Sequence, residues 1–381
     1  MARIGINAQL LTFSRSYRNA GSSGYIYQLL QHLPAVPSPH RYIVFTNAAG
    51  AELRAAGDRR FHLVRSRLDT ERPERRILWE QFSLPTLIAR ERLDLVHGTL
   101  NVLPLARRRT VGVVTIHDLS FLVHPERFLP NKRRYLTTMT RLSARGARFV
   151  VASSENTRKD VIQLLGVPEE RVRVVGLGVE DRLRESIDPE AIARFRAEKQ
   201  LPEHFYLYVG TLEPRKNLVR LVEAYAEARR AGVDWPLILA GGKGWLYEEI
   251  FSRIQALGLE EHVRMPGYVL YEDLPLWYNA ASVFVYPSLY EGFGLPVAEA
   301  MACGCPVITT AAGSLLEVAG DAAVLVNGED VEELRDALIR LAGDAVLRAD
   351  LSSRGRLRSA RFDWRQTATR MVALYSEALE A

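Results

Sequence analysis

The chain of 381 residues is long enough for two domains with separate cores, and 48% hydrophobic with 25% charged residues is an ordinary globular composition. No apolar run approaches the roughly 18 residues of a membrane span, and Met1-Ala-Arg-Ile-Gly-Ile-Asn7 leads into a strand without a signal-peptide core, so a cytoplasmic protein is expected. The net charge of +5 divides into +13 over residues 1–180 and −8 over 181–381, which predicts two domains meeting different partners.

In chain order, the first half alternates apolar strands with helical patterns. Ile4–Asn7, Tyr42–Thr46, Phe61–Arg65, Leu93–His97, Val111–Ile116, Phe149–Ala152 and Val172–Val175 read as strands. Ile77–Arg90, Arg134–Arg145 and Asn156–Leu165 read as helices, the last ended by Gly166. Such alternation predicts a parallel sheet covered by helices on both faces, with ligands at the carboxyl ends of the strands. Three features fall there. Gly21-Ser22-Ser23-Gly24 opens a helix near Tyr25 and suits phosphate or hydroxyl groups, or serves as a plain turn. His117-Asp118 directly follows a strand, which aims His117 at a ligand; Asp118 either orients the imidazole or caps the next segment. The stretch from Arg72 through Arg75-Arg-Ile-Leu-Trp79-Glu-Gln-Phe82 is amphipathic, fitting either a surface for a lipid or polymer acceptor or, as the stronger expectation, a helix buried on the sheet.

The second half starts over with the strand Phe205–Gly210. Thr211-Leu-Glu-Pro-Arg215-Lys216-Asn217 then turns into a helix over 218–230, with Asn217 as its N-cap. Two adjacent cations at such a turn suit a diphosphate, Arg215 gripping in bidentate fashion and Lys216 acting as a point charge. Pro236–Ala240 ends in Gly241-Gly242, where backbone can approach a ligand, and Met265-Pro-Gly267-Tyr268-Val269 precedes a helix over 274–279. The strand Ser282–Pro287 is followed by a loop with Glu291, Gly292 and Gly294, a short helix opened by Pro296 and closed before Gly304, and the strand Pro306–Thr310. A helix N-terminus favours an anion, and two carboxylates at its mouth, Glu291 and Glu299, accept hydrogen bonds from a polyol, so the unit suits a sugar joined to a phosphate. Cys303-Gly-Cys305 makes no metal site and reads as a reduced structural pair. Ala323–Val326 is the last strand and Trp364–Leu379 the last helix.

The run Pro287-Ser-x-x-Glu291-Gly-Phe-Gly-Leu-Pro-x-x-Glu299-Ala-Met-Ala-x-Gly-x-Pro-Val resembles the signature of retaining, nucleotide-sugar-dependent glycosyltransferases of family 4. The resemblance implies the GT-B architecture: an α/β chain of two Rossmann-like parallel-sheet domains facing a central cleft. It places an acceptor-side domain at 1–180, a donor-binding domain at 181–363, and a terminal helix, 364–381, that returns to the first domain. Gly21–Gly24 departs by one spacing from the family's Gly-Gly-x-Gly, and Gly176-Leu-Gly178-Val-Glu180 resembles its Asn-Gly-Val-Asp hinge. By resemblance His117 contacts the donor sugar, Arg215 and Lys216 stabilise the departing diphosphate, Glu291 holds a sugar hydroxyl and Glu299 the ribose. Gly210, Thr211, Gly241, Tyr268, Val269, Gly292, Phe293, Gly294 and Leu295 complete the donor contacts. No Asp-x-Asp occurs, so no metal or other cofactor is expected, and no catalytic base is assigned. Relatives of this kind are thought to react on the front face, the leaving phosphate taking the acceptor proton.

The segment Thr115-Ile-His117-Asp-Leu-Ser leans toward bacterial mannosyltransferases using GDP-mannose, with UDP-glucose next. The implied partners are a nucleotide-sugar donor and a glycan or lipid-linked acceptor, not nucleic acid. Arginine clusters at Arg72–Arg76, Arg107–Arg109 and Lys132–Arg134 raise a peripheral place on the anionic inner membrane face. A dinucleotide oxidoreductase is excluded by the missing Gly-x-Gly-x-x-Gly after the first strand. A nucleotide-sugar epimerase or hydrolase, and a non-catalytic sugar-nucleotide-binding protein, stay open as alternatives.

Overall fold

The computed structural model describes residues 1–12, 21–47, 53–66, 68–70, 72–107 and 109–380. They form two compact units, one of residues 1–178 with 363–381 and the other of residues 179–362.

The first unit is built on seven strands: β1 (Arg3–Ala8), β2 (Arg41–Thr46), β3 (Phe61–Arg65), β4 (Leu95–Gly98), β5 (Val111–Ile116), β6 (Phe149–Ala152) and β7 (Val172–Val174). They lie side by side in the order β3-β2-β1-β4-β5-β6-β7, every pairing parallel. Side chains alternate between two cores, as a pleated strand requires. Ile4, Ile6, Tyr42 and Val44 pack on one face with the helix Ser22–His32 and with Trp364, Met371 and Tyr375 of the terminal helix Trp364–Glu380. Ile43, Phe45, Val96 and Val114 pack on the other with Trp79, Leu84, Ile88 and Val161. His97, fully buried on β4, ties the terminal helix to the sheet. Its ring nitrogens bond the Tyr375 hydroxyl and Thr115 Oγ1, both at 2.8 Å, and burial pulls its pKa to about 3, so the ring is neutral.

In the second unit β8 (Tyr206–Val209), β9 (Leu237–Ala240), β10 (Val263–Gly267), β11 (Val283–Tyr286), β12 (Val307–Thr310) and β13 (Val324–Val326) take the order β10-β9-β8-β11-β12-β13, again parallel throughout. In both sheets the chain runs outward from a central strand and then restarts on its other side. That reversal falls between β1 and β4 in the first unit and between β8 and β11 in the second. In open parallel sheets the diverging loops at such a reversal leave room for a ligand at the carboxyl ends of the strands.

Three elements differ from the sequence-based expectation. The helix read as Ile77–Arg90 starts at Pro73, and its turn Trp79–Ser83 is of π type. Pro85 has no N–H to give to residue 81, and the widened turn lies just before it. The strand β10 was not expected, because Pro266 interrupts it; it lies at the sheet edge, where a missing donor is tolerated, and its register shifts between Arg264 and Gly267. Asn217 precedes the helix Leu218–Arg230 without capping it. Its backbone is left-handed (φ 61°), and its side chain donates instead to the Gly328 carbonyl at 2.6 Å.

Candidate functional site

In the second unit the residues after β8 and those after β11 meet at the reversal point. Arg215 and Lys216 sit on a single helical turn, Pro214–Lys216, and Glu291 on the loop that follows β11. The loops are sewn together through backbone: Leu289 N donates to Arg215 O at 3.0 Å, with Ser288 Oγ 3.3 Å from the same carbonyl. Lys216 Nζ reaches Glu291 Oε1 and the Tyr286 hydroxyl, each at 2.5 Å. Arg215 spans Glu291 Oε2 at 2.9 Å, Glu213 Oε1 at 2.8 Å and the Tyr290 carbonyl at 2.6 Å. Ser288 Oγ donates to Glu291 Oε1 at 2.6 Å. Burial pushes the Glu291 carboxyl up, but Arg215 and Lys216 outweigh it and hold it at about 2. Burial and Arg215 lower the Lys216 pKa, and the Glu291 contact opposes them.

The sequence suggested two cations offered directly to an anion. In the structure both are instead paired to Glu291, and with Glu213 the four charges cancel. Gly313 lets the chain close on the Glu291 backbone: a Cβ there would stand 2.5 Å from the Glu291 main-chain carbonyl oxygen, and its φ of 59° is one that side chains resist. Ser314 Oγ donates to the same oxygen at 2.9 Å.

Glu299 lies on the helix Leu295–Ala302, one turn in from Gly294. It is buried; Tyr278 donates to its Oε2 at 3.2 Å, and burial raises its pKa to about 8. Arg182 packs 4.5 Å over the Tyr271 ring and pairs with Glu180, both charges acting on Glu299. A file of rings joins the two glutamates: Tyr208, Tyr286 and Phe284 stack at 5.8 Å, and Phe284 meets Tyr278 edge-on at 5.3 Å.

In the first unit His117 follows β5. Its Nε2 donates to the Thr99 carbonyl at 3.2 Å, and the Tyr25 ring stands edge-on at 4.5 Å. Burial lowers its pKa to about 4, so the ring is neutral and keeps its lone pair on Nδ1. Asp118 does not orient it: Asp118 Oδ1 accepts from Ser120 N at 2.9 Å and Ser120 Oγ at 2.5 Å, capping the next turn. The Gly21–Gly24 segment reaches His117 through Tyr25, the next residue. Gly21 and Ser22 are at least partly open, whereas Ser23 is buried and clasps Thr12, accepting from its N–H at 3.0 Å.

Residues 190–358 match the family model for glycosyl transferases group 1, and residues 20–183 that for glycosyltransferase family 4. The O-antigen chain mannosyltransferase B of Escherichia coli is 33% identical over 285 residues, 74% of each chain. The chain belongs to the group 1/family 4 glycosyltransferases. The serotype-specific mannosyltransferase WbdA of Escherichia coli is 30% identical over 71% of this chain, which spans only 34% of that longer protein. HepE of Anabaena, whose crystal structure holds UDP and glucose, superposes with a TM-score of 0.76 at 22% identity over 99% of this chain and all of its own, a likeness of GT-B fold. This glycosyltransferase is thus a hexosyltransferase whose homologues include mannosyltransferases of polysaccharide synthesis.

The remaining donor residues of the glycosyltransferase are more structural than the motif suggested. Gly210 and Gly241 pack backbone to backbone, since a Cβ on Gly241 would meet the Gly210 oxygen at 1.8 Å. Thr211 gives its carbonyl to the Tyr208 hydroxyl at 3.0 Å. Phe293 is buried edge-on to Phe362 at 5.4 Å, Gly292 and Gly294 are buried beside it, and Leu295 is half-buried. Tyr268 and Val269, half-buried, follow the edge strand β10 rather than the reversal point. Cys303 and Cys305 are free and buried thiols, that of Cys303 pushed up to about 12 by burial, which makes both unreactive. Among the described residues no group of three His, Cys, Asp or Glu side chains is arranged to hold a metal. Glu213, Ser314 and Tyr286 went unremarked in the sequence, and Ser288 was read only as a member of the motif. Glu213 had a signal, as an acid two residues before Arg215; the others are recognisable only once the two loops are brought together.

Proposed function

We propose that this enzyme transfers mannose from GDP-mannose, with retention at the anomeric carbon and without a metal, to a glycan or lipid-linked acceptor. The observation that carries the reading is the Arg215–Lys216–Glu291 cluster at the reversal point of the second unit. A diphosphate brought there competes with Glu291 for the two cations and leaves that carboxylate to accept from a sugar hydroxyl. As the bond from C1 to the phosphate oxygen breaks, charge grows on the diphosphate, where Arg215 and Lys216 stabilise it. The acceptor oxygen bonds to C1, and its proton passes to the departing phosphate oxygen. Glu299 holds the ribose, and the neutral His117 accepts from the donor sugar through Nδ1. The mannose donor is favoured by the names of the relatives that match at 30% identity or more over the longest stretches. The same reading sets the enzyme on the cytoplasmic side, with the first unit against an anionic membrane surface where lipid-linked acceptors reside.

Thermal shift with GDP-mannose, UDP-glucose and their nucleoside diphosphates identifies the donor, because a ligand that binds only the folded state raises its melting temperature. Transfer assays with and without EDTA, and the anomeric signal of the product, then test mechanism. Donor turnover that needs no acceptor, an inverted product, or a loss in EDTA restored by magnesium would overturn the proposal.

A further inference from the structure

A second polar cluster lies at the reversal point of the first unit, and nothing in the donor reading uses it. Asn7 at the end of β1 donates through its side-chain amide to Glu80 Oε1 at 3.0 Å, while its Oδ1 accepts from Gln9 N at 3.3 Å. Thr99, just past β4, donates to the Asn7 carbonyl at 2.6 Å, and Thr70 Oγ1 donates to Gln9 Oε1 at 2.6 Å. Through the Thr99 carbonyl the cluster adjoins His117. Glu80 comes from the π turn, which turns both Trp79 and its neighbour Glu80 inward, where an ordinary helix spreads adjacent side chains about 100° apart.

Gln9, Glu80 and Asn101 are exposed by only 1, 7 and 8%, yet Gln9 Nε2 and Asn101 Oδ1 have no hydrogen-bond partner. Polar groups this deep are ordinarily paired, and an exception calls for a physical reason, of which a missing binding partner is one. Asn101 also holds a left-handed backbone, φ 52°, of the kind that concentrates at binding sites. The free atoms are a neutral donor and a neutral acceptor, and the Glu80 carboxyl joins the same cluster through Asn7. Hydroxyl groups both give and take hydrogen bonds and so match this set, whereas an anion offers acceptors only and meets Glu80. Burial raises the Glu80 carboxyl above its ordinary range, against Arg76 and the Asn7 bond, which further suits a hydroxyl partner.

We propose that Gln9, Glu80 and Asn101 form an acceptor subsite that binds the hydroxyl groups of a neutral sugar. This rests on the transferase reading and names the class of its acceptor.

The test uses the full-length enzyme with methyl α-mannopyranoside as the neutral probe and methyl glucuronide as its anionic counterpart. In nitrogen-15 spectra the side-chain amide signals of Gln9 and Asn101 should shift saturably with the neutral glycoside and stay in place with the anionic one. In kinetics, Glu80→Gln and Gln9→Met should each raise the KM for the neutral acceptor about tenfold or more, with GDP affinity held within about twofold. A purely structural role would lower stability without that division between acceptor and nucleotide. Amide signals unmoved at saturating glycoside, an acceptor KM unchanged in Glu80→Gln, or an equal response to the glucuronide would overturn the proposal. If Gln9→Met does not fold, the wild-type titration and Glu80→Gln decide. A wild-type enzyme that binds no GDP would remove the transferase reading itself, a separate failure read from the nucleotide control.

Discussion

Glu291 holds two cations at once, so its ionisation bears on both stability and chemistry. Its folded pKa of about 2 lies below the ordinary 4.5. A depressed carboxyl contributes stability that is present above pH 4.5 and lost as the pH falls toward 2. The shift corresponds to about 3 kcal/mol. Glu291→Gln should therefore lower unfolding free energy by about that amount at pH 7, with the deficit narrowing below pH 4.5; urea titrations at pH 7 and 3 measure it. Turnover should fall as well. Arg215→Ala and Lys216→Ala should each cost roughly 2–4 kcal/mol of transition-state stabilisation, read as kcat/KM. Glu299 behaves in the opposite sense. Its pKa, raised to about 8 by burial, means the folded state holds a proton that the unfolded state releases near pH 4.5, so its contribution weakens as pH rises from 4.5 to 8. Glu299→Gln should raise the Tm, by more at pH 8 than at pH 5, while weakening GDP binding in calorimetry. A Tm difference independent of pH would show that the carboxyl is ionised when folded.

At the scale of elements, Asn217 joins the helix it precedes to the loop after β13 through its bond to Gly328. Asn217→Gly keeps the left-handed backbone and loses the bond to Gly328 together with the one its Oδ1 accepts from Arg220 at 3.1 Å, for about 1 kcal/mol or somewhat more, while Asn217→Ala adds about 1 kcal/mol of backbone strain. Urea midpoints should rank wild type above Asn217→Gly above Asn217→Ala. This residue also marks what sequence can convey. Asn before a helix has two physical uses, a cap or a left-handed turn, and only the position of Gly328 decides between them. The strands of both sheets were legible because buried parallel strands are nearly continuous apolar runs, as in Val113–Ile116 or Val283–Tyr286. The edge strand β10 was not, since Arg264 and Pro266 break that pattern. The long motif around Glu291 was legible as chemistry, and Arg215 and Lys216 as cations at a strand-to-helix turn. Their pairing with Glu291 was not, because it depends on two loops some 75 residues apart. The cluster of Asn7, Gln9 and Glu80 left no trace in local sequence: it joins the end of β1 to a π turn 73 residues from Asn7, and a π turn has no composition of its own.

Over the whole molecule the charge divides by unit, +13 on the first and −8 on the second. Among the described residues no helix is long and apolar enough to cross a membrane. The first unit nevertheless carries exposed apolar side chains on a basic segment. Trp79 is buried against Phe45, as the sequence favoured, but Phe82 and Leu78 on the same helical segment are 72 and 55% exposed. Arg72 and Arg75 lie exposed at its start, Arg75 in an open ion pair with Asp69 of little energetic weight. A second basic group, Lys132 to Arg134, is exposed after Leu129, itself 57% exposed. The third arginine cluster contributes less, for Arg107 is turned inward to the Gly146 carbonyl and Arg108 lies outside the described residues. Near an anionic bilayer each such basic residue is worth about 1 kcal/mol, and the attraction fades as the screening length drops from about 10 Å at 0.1 M salt to about 3 Å at 1 M. A neutral sugar subsite and a basic exterior are compatible if the charge recruits the membrane rather than the sugar. The enzyme should therefore co-sediment with phosphatidylglycerol vesicles at low salt, dissociate at high salt, and ignore phosphatidylcholine vesicles. Phe82→Asp should weaken the anionic binding with no change in Tm, because the side chain it replaces is already in solvent. Equal and negligible binding to both vesicles at low salt would leave a water-soluble glycan as the acceptor.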